Sequence, residues 1–157
     1  MAIRNIVKKG DPVLDKVCRP VTDFNERLWL LLDDMHDTLR DADGAGLAAP
    51  QVGVLRSCAL VMLDDGSYLE RVNPKIVTRD GIQSGTEGCL SVPDVFGIVE
   101  RPMYVTVTAQ DRYGKEFTMD AEGFTARAFC HEIDHLSGHL FTEIVKKYVD
   151  INNTDED

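Results

Sequence analysis

The alternation of apolar and polar positions changes period along the chain, and these changes mark out its elements. From Asp23 the apolar positions fall at helical spacing, with Phe24, Leu28, Leu31, Leu32, Met35 and Leu39 on one stripe. Asp23 is expected to cap this helix, with Glu26 three residues on at the capping-box position, and the helix is expected to end near Ala42. His36 lies on it without a partner at metal spacing, so a surface or packing role is expected. From about Ser57 to Met119 the period shortens. Residues 58–63 form an apolar run, Asp64-Asp65-Gly66 a turn, and residues 68–72 the hairpin partner, with Asn73-Pro74 interrupting before Ile76-Val77. Val105, Val107 and Ala109 alternate with polar residues, and Phe117 and Met119 resume the alternation after Arg112-Tyr113-Gly114, which predicts a half-buried antiparallel hairpin. Near Gly123 the helical period returns. Phe124, Ala126, Ala128, Phe129, Cys130, Ile133 and Leu136 surround most of this last helix, so it is expected to be buried, with Gly138 as its stop.

Without repeats or linkers, these elements predict one α+β domain over residues 1–157, with antiparallel strands packed around a central buried helix. The acidic stretch from residue 150 onward is expected to fray. A chain of 157 residues with 43% hydrophobic content can hold a core without staples. A formal charge of −10 argues against nucleic-acid binding, which needs a basic surface, and Lys146-Lys147 is too small a patch to reverse that. The longest strongly apolar run, Leu28-Trp29-Leu30-Leu31-Leu32, is far too short to span a membrane. Charges at Arg4, Lys8 and Lys9 stand where a signal peptide needs its apolar region, so a cytoplasmic location is expected. Cys18, Cys58, Cys89 and Cys130 are then expected as free thiols, one or more of them available to a metal.

The chemistry centres on His131-Glu132-Ile133-Asp134-His135. Histidines four residues apart on a helix return to within roughly 40° of one azimuth and can share one ion. Glu132 lies about a quarter turn from His131, poorly aimed to ligate that ion but able to reach a water on it. A catalytic site of this kind needs a third protein ligand and an open position. In one protease class the third ligand is a histidine in the pattern H-E-x-x-H-x-x-G-x-x-H; here Gly138 fits, but the final position is Phe141 and His139 is displaced by two. Cys89, in Glu87-Gly88-Cys89-Leu90-Ser91-Val92-Pro93, is the best ligand on offer, although a buried apolar cysteine is the commoner fate of such a residue. Residues 44–53 form a stretch of small residues that lets backbone approach something closely. By composition it predicts a tight loop, with Gln51 as a polar amide at its end.

Residues 44–51, 87–91 and 131–135 resemble the three signature motifs of the peptide deformylases, G-x-G-x-A-A-x-Q, E-G-C-x-S and H-E-x-x-H, in the family's order and approximate spacing. The likeness extends to Gly10-Asp11-Pro12 and to residues 138–141. It implies a hydrolase that removes the N-formyl group from formylmethionine of new proteins and releases formate. It implies iron(II), replaceable by zinc or nickel, on Cys89, His131 and His135, with Glu132 moving the proton. The Gln51 amide and the Leu90 backbone N–H would stabilise the developing oxyanion, and the Gly46 main chain would bond the peptide backbone. Ala45 stands where a larger aliphatic residue is common, which predicts a differently shaped methionine pocket. Some family members carry a longer, basic C-terminal helix; this chain has a short acidic tail, which leaves only a transient ribosome contact as the expectation. Asp134 and Glu87 are expected either behind the ligands or in an ion pair with Arg101 or Arg127.

Two other readings compete. A small zinc peptidase would use the same helix but lacks the downstream ligand. A non-enzymatic module with a structural metal would normally close its site with four protein ligands, and Cys130, next to His131, points roughly 100° away.

Overall fold

The computed structural model describes residues 2–150, so the acidic stretch at 151–157 lies outside the described residues. Helix α1, Glu26–Ala42, forms where the apolar stripe predicts it, and Leu28, Leu31, Leu32, Met35 and Leu39 are all buried. Each such side chain contributes about 2 kcal/mol by leaving water, so this stripe, more than intrinsic propensity, holds the helix. Its cap differs from expectation. Asn25, not Asp23, is the N-cap, its side-chain oxygen accepting from the Leu28 N–H at 3.4 Å, which places Glu26 inside the first turn. The left-handed Asp43 ends the helix and hands the chain directly to Gly44.

A five-stranded antiparallel sheet runs in the order β1 (Gly46–Ala48), β2 (Cys58–Met62), β3 (Tyr68–Asp80), β6 (Tyr104–Gln110), β7 (Glu116–Glu122). The two hairpins expected from the alternation are there, with Met62 opposite Tyr68 and Gln110 opposite Glu116. Asn73-Pro74 does not break β3. The strand continues through a register shift, and Asn73, at φ +51°, accepts from the Val21 N–H and donates to Val21 O and Gln110 Oε1, replacing the lost ladder bonds with its side chain. The small-residue stretch at 44–53 is likewise more ordered than expected. It forms β1, paired with β2, and then a 3₁₀ turn over Ala49–Val52.

The alternation missed a second, three-stranded sheet in the order β4 (Gln83–Cys89), β5 (Val92–Arg101), β8 (Lys147–Val149). Glu87 and Cys89 therefore lie on a strand, with Leu90 and Ser91 as the turn into β5. Helix α2, Gly123–Leu136, starts at the expected residue, and Gly138 at φ +83° follows its end. Ten of its 14 residues are buried, although Phe124 at its start is exposed. Among the described residues no helix is long and apolar enough to cross a membrane, and all four cysteines are free thiols.

Candidate active site

Helix periodicity stacks His131 and His135 on one face of α2, with ring centroids 5.0 Å apart and both residues buried. The end of β4 brings Cys89 against them, its Sγ 3.3 Å from His135 Nε2. The three donor atoms lie within 4.8 Å of one another. Donors bound tetrahedrally at the usual Zn–S and Zn–N lengths would be roughly 3.3–3.7 Å apart, so a thiolate and two imidazoles can close on one divalent ion by moving together by about 1 Å at most. The two rings differ in protonation. His131 Nδ1 donates to Glu87 Oε1 at 2.9 Å, so in the neutral ring the lone pair lies on Nε2. Burial, helped by His131 and Arg101, pushes His135 down to about 3, so its ring is neutral. Burial also works to lower His131, but its hydrogen bonds to Cys89 and Glu87 overcome it and push that ring up to about 10, so a metal arriving there must displace the Nε2 proton.

Glu132 is buried, and its Oε1 has no protein partner. Burial, only partly offset by His131, pushes its carboxyl up to about 7, where it can both accept and return a proton. Gly46 on β1 lies against it. A Cβ there would strike Glu132 Oε2 and lie 2.9 Å from its Cδ, so glycine is required for close approach even without an unusual φ.

Gln51 is 1% exposed, and its neighbours settle the orientation of its amide. The Ala48 N–H can only donate, so the atom 3.0 Å from it is Oε1. Nε2 is therefore aimed at the site, 3.1 Å from Ser91 Oγ and 3.5 Å from Cys89 Sγ. Gly44, Ala45, Gly46, Gln51, Cys89, Leu90 and Glu132 all line one cleft of about 400 Å³, between the β1 edge of the larger sheet and the β4 edge of the smaller. Of the residues singled out from the three motifs, all reach this cleft except His135, which lies at its base against Cys89, and Asp134, which pairs with Arg101.

Behind the donors stands a buried ionic group that motif reading left open. Arg101 forks onto Glu87, at 2.9 and 3.0 Å, and reaches Asp134 Oδ2 at 2.6 Å, while Arg127 donates to Glu87 Oε2 at 2.7 Å. Burial opposes ionisation of Glu87, but His131 and Arg101 hold its carboxyl down at about 2. Both expected roles of Glu87 are thus combined: it pairs with the arginines and orients a histidine. Ser91, fully buried beneath the Gln51 amide, had no assigned part. Arg127 carried one available signal, since it stands four residues before His131 on the same helix face. His36 and His139 lie elsewhere, paired with Glu70 and Glu143.

A sequence model of the polypeptide deformylase family matches residues 3–150. The peptide deformylase of Caldicellulosiruptor bescii is 52% identical over 149 residues, covering 95% of this chain and 89% of that one. The crystal structure of a peptide deformylase from Legionella pneumophila superposes with a TM-score of 0.89 at 44% identity, over 92% of this chain and 87% of that one. A class I type b peptide deformylase from Acinetobacter baumannii, solved with Met-Ala-Ser bound, gives 0.86 at 33% identity, over 91% and 98%. The likeness in sequence runs through nearly all the described residues, and the three motifs converge on one cleft: the chain belongs to the polypeptide deformylase family.

Proposed function

We propose that in this chain the family's reaction runs in the cleft between β1 and β4. The chain is a metal-dependent hydrolase that removes the N-formyl group from the first methionine of new proteins. The observation that carries the site reading is a thiol and two imidazoles within 4.8 Å of one another beside a buried carboxylate oxygen with no protein partner. Cys89, His131 and His135 hold one divalent metal, iron(II) by family resemblance with zinc or nickel as substitutes, which supplies the Lewis acidity that activates water and polarises a carbonyl. Glu132 takes the proton from water as its oxygen attacks the formyl carbon. It then passes that proton to the methionine nitrogen, so that the C–N bond breaks to give formate and a free amine. The Gln51 Nε2–H and the Leu90 N–H donate to the carbonyl oxygen as it gains charge.

The peptide lies extended along the cleft, bonded to the Gly46 main chain, because a strand edge recognises backbone without reading sequence. The methionine side chain occupies the apolar part near Leu90, and the small Ala45 leaves it more room than a larger aliphatic residue would. One catalytic domain carries all of this. Action on new proteins makes the cytoplasm its place of work and any ribosome contact a transient one.

The experiment is formate release from formyl-Met-Ala-Ser against acetate release from acetyl-Met-Ala-Ser, under reducing, oxygen-free conditions with metal content measured in parallel. A methyl in a roomy pocket discriminates only about 10–200-fold, and steric exclusion at the reacting carbon should exceed that. Equal rates, or cleavage of an internal peptide bond, would restore the peptidase reading.

A further inference from the structure

Arg127 does more than neutralise a buried charge. Its Nη1 lies 2.7 Å from Glu87 Oε2, 3.1 Å from Val99 O and 3.3 Å from Gly85 O, and its Nη2 lies 3.4 Å from Gln83 Oε1. The same Gln83 side chain donates through Nε2 to Gly123 O at 2.7 Å and to Pro102 O at 3.0 Å. One guanidinium and one amide therefore tie β4, which among the described residues pairs only with β5, to the helix that carries His131, Glu132 and His135. The fit is close, since a Cβ on Gly85 would come within 2.9 Å of Arg127 Nη2. Arg127 is itself 6% exposed and also lines the cleft.

We infer that Arg127 is a positioning residue for this reaction, with two separable effects. Through Glu87 it fixes the His131 ring, because a carboxylate held from one side by Arg101 and from the other by Arg127 cannot turn away from Nδ1. Through Gly85 and Gln83 it sets the position of β4, the wall along which the peptide lies. Glu87 alone could orient a histidine, but a carboxylate that also had to anchor Arg101 would be free to swing toward it. Arg101 sits opposite Gln83 in the β4–β5 ladder and its guanidinium is taken up by Glu87 and Asp134, whereas the Arg127 guanidinium reaches Glu87, the Gly85 carbonyl and the Gln83 side chain together. The inference rests on the proposed Cys89, His131, His135 site.

The test loads the full chain with nickel(II) and follows metal release into excess chelator, alongside kcat and KM for formyl-Met-Ala-Ser. Loss of a partner behind a metal ligand weakens metal binding by roughly 10–100-fold, and release from Arg127→Met should accelerate by about that factor. Arg127→Lys keeps the charge but not the fork, so its release should be intermediate; if Arg127→Met fails to fold, this variant carries the test. Gln83→Ala loosens β4 without touching Glu87, and should raise KM with metal release unchanged. Arg112→Met, which removes a half-buried ion pair elsewhere, should lower Tm and leave metal release alone. Nickel held as long in Arg127→Met or Arg127→Lys as in wild type would overturn the inference, as would equal acceleration in Arg112→Met. Unchanged KM in Gln83→Ala would overturn the second effect. A wild-type chain that never retains one nickel would instead overturn the site itself.

Discussion

Two histidines in this protein are built into similar surroundings, and only one belongs to the cleft. His36 Nε2 lies 2.8 Å from Glu70 Oε2, and Glu70 is gripped by Arg112, which also reaches Asp33 at 2.9 Å. His131 Nδ1 lies 2.9 Å from Glu87 Oε1, and Glu87 is gripped by Arg101, which also reaches Asp134. The order histidine, glutamate, arginine, aspartate is the same in both. What differs is the second ring nitrogen. In His131 it faces a thiol and another imidazole, whereas His36 Nδ1 is buried without a partner and belongs to no group of ligating side chains among the described residues. A histidine–carboxylate–arginine relay is by default a way to satisfy buried polar groups. It becomes a metal-ligand support only where the remaining nitrogen meets converging donors.

The largest expected effect breaks the convergence itself. Cys89→Ala should lose the metal and with it activity, whereas His36→Ala should keep full metal content and wild-type kcat/KM; metal analysis of the two purified variants checks both. Full occupancy without Cys89 would mean that another residue is the third ligand. Next come the two side chains for which the His36 region has no counterpart. Glu132→Ala should retain metal while kcat falls by about 10²–10⁴. Gln51→Ala should lose roughly 10²–10³ in kcat, and a change confined to KM would make its amide a ground-state contact instead.

A paired substitution sharpens the comparison. Glu87→Gln should weaken metal binding by roughly 10–100-fold, and Glu70→Gln should leave it unchanged, as read by competition with a chelator. Equal weakening in both would mean that either relay acts only through overall stability. The smallest effect is one of pH. Burial opposes ionisation of Glu70, but Arg112 and His36 hold its carboxyl down at about 2, against an ordinary value of 4.5. A group depressed on folding contributes stability that is complete above its unfolded pKa and is lost as pH falls through the folded one. Between about pH 4.5 and 2, therefore, the wild type should lose more of its Tm than Glu70→Gln does, by up to about 3 kcal/mol of stability. Parallel curves for the two proteins would remove Glu70 from the acid response.

Local geometry was legible because it needs few residues to specify it. The i, i+4 spacing put His131 and His135 together as soon as α2 was recognised, and the alternation in β6 and β7 gave their hairpin. β4 was invisible for a physical reason. Gln83-Ser84-Gly85-Thr86-Glu87-Gly88-Cys89 has almost no apolar side chains to show a period, and what holds it is pairing with β5 together with the side chains of Arg127 and Gln83. The α1 cap was misread because Asp23 and Asn25 are both good capping residues, and only the chain's path selects Asn25.

By itself the sequence determined the two helices, the two hairpins of the larger sheet, the pair of histidines with a carboxylate between them, and the resemblance that implied deformylation. All of these follow from short-range periodicity or from motif residues close together in the chain. Tertiary structure decided what depends on distant segments meeting: that Cys89 arrives 3.3 Å from His135, that the Gln51 amide faces the thiol, and that Glu87 both pairs with two arginines and steadies His131. Spacing along a helix is set by 1.5 Å per residue whatever surrounds it, but the distance between two sheet edges is set only when the core between them has packed.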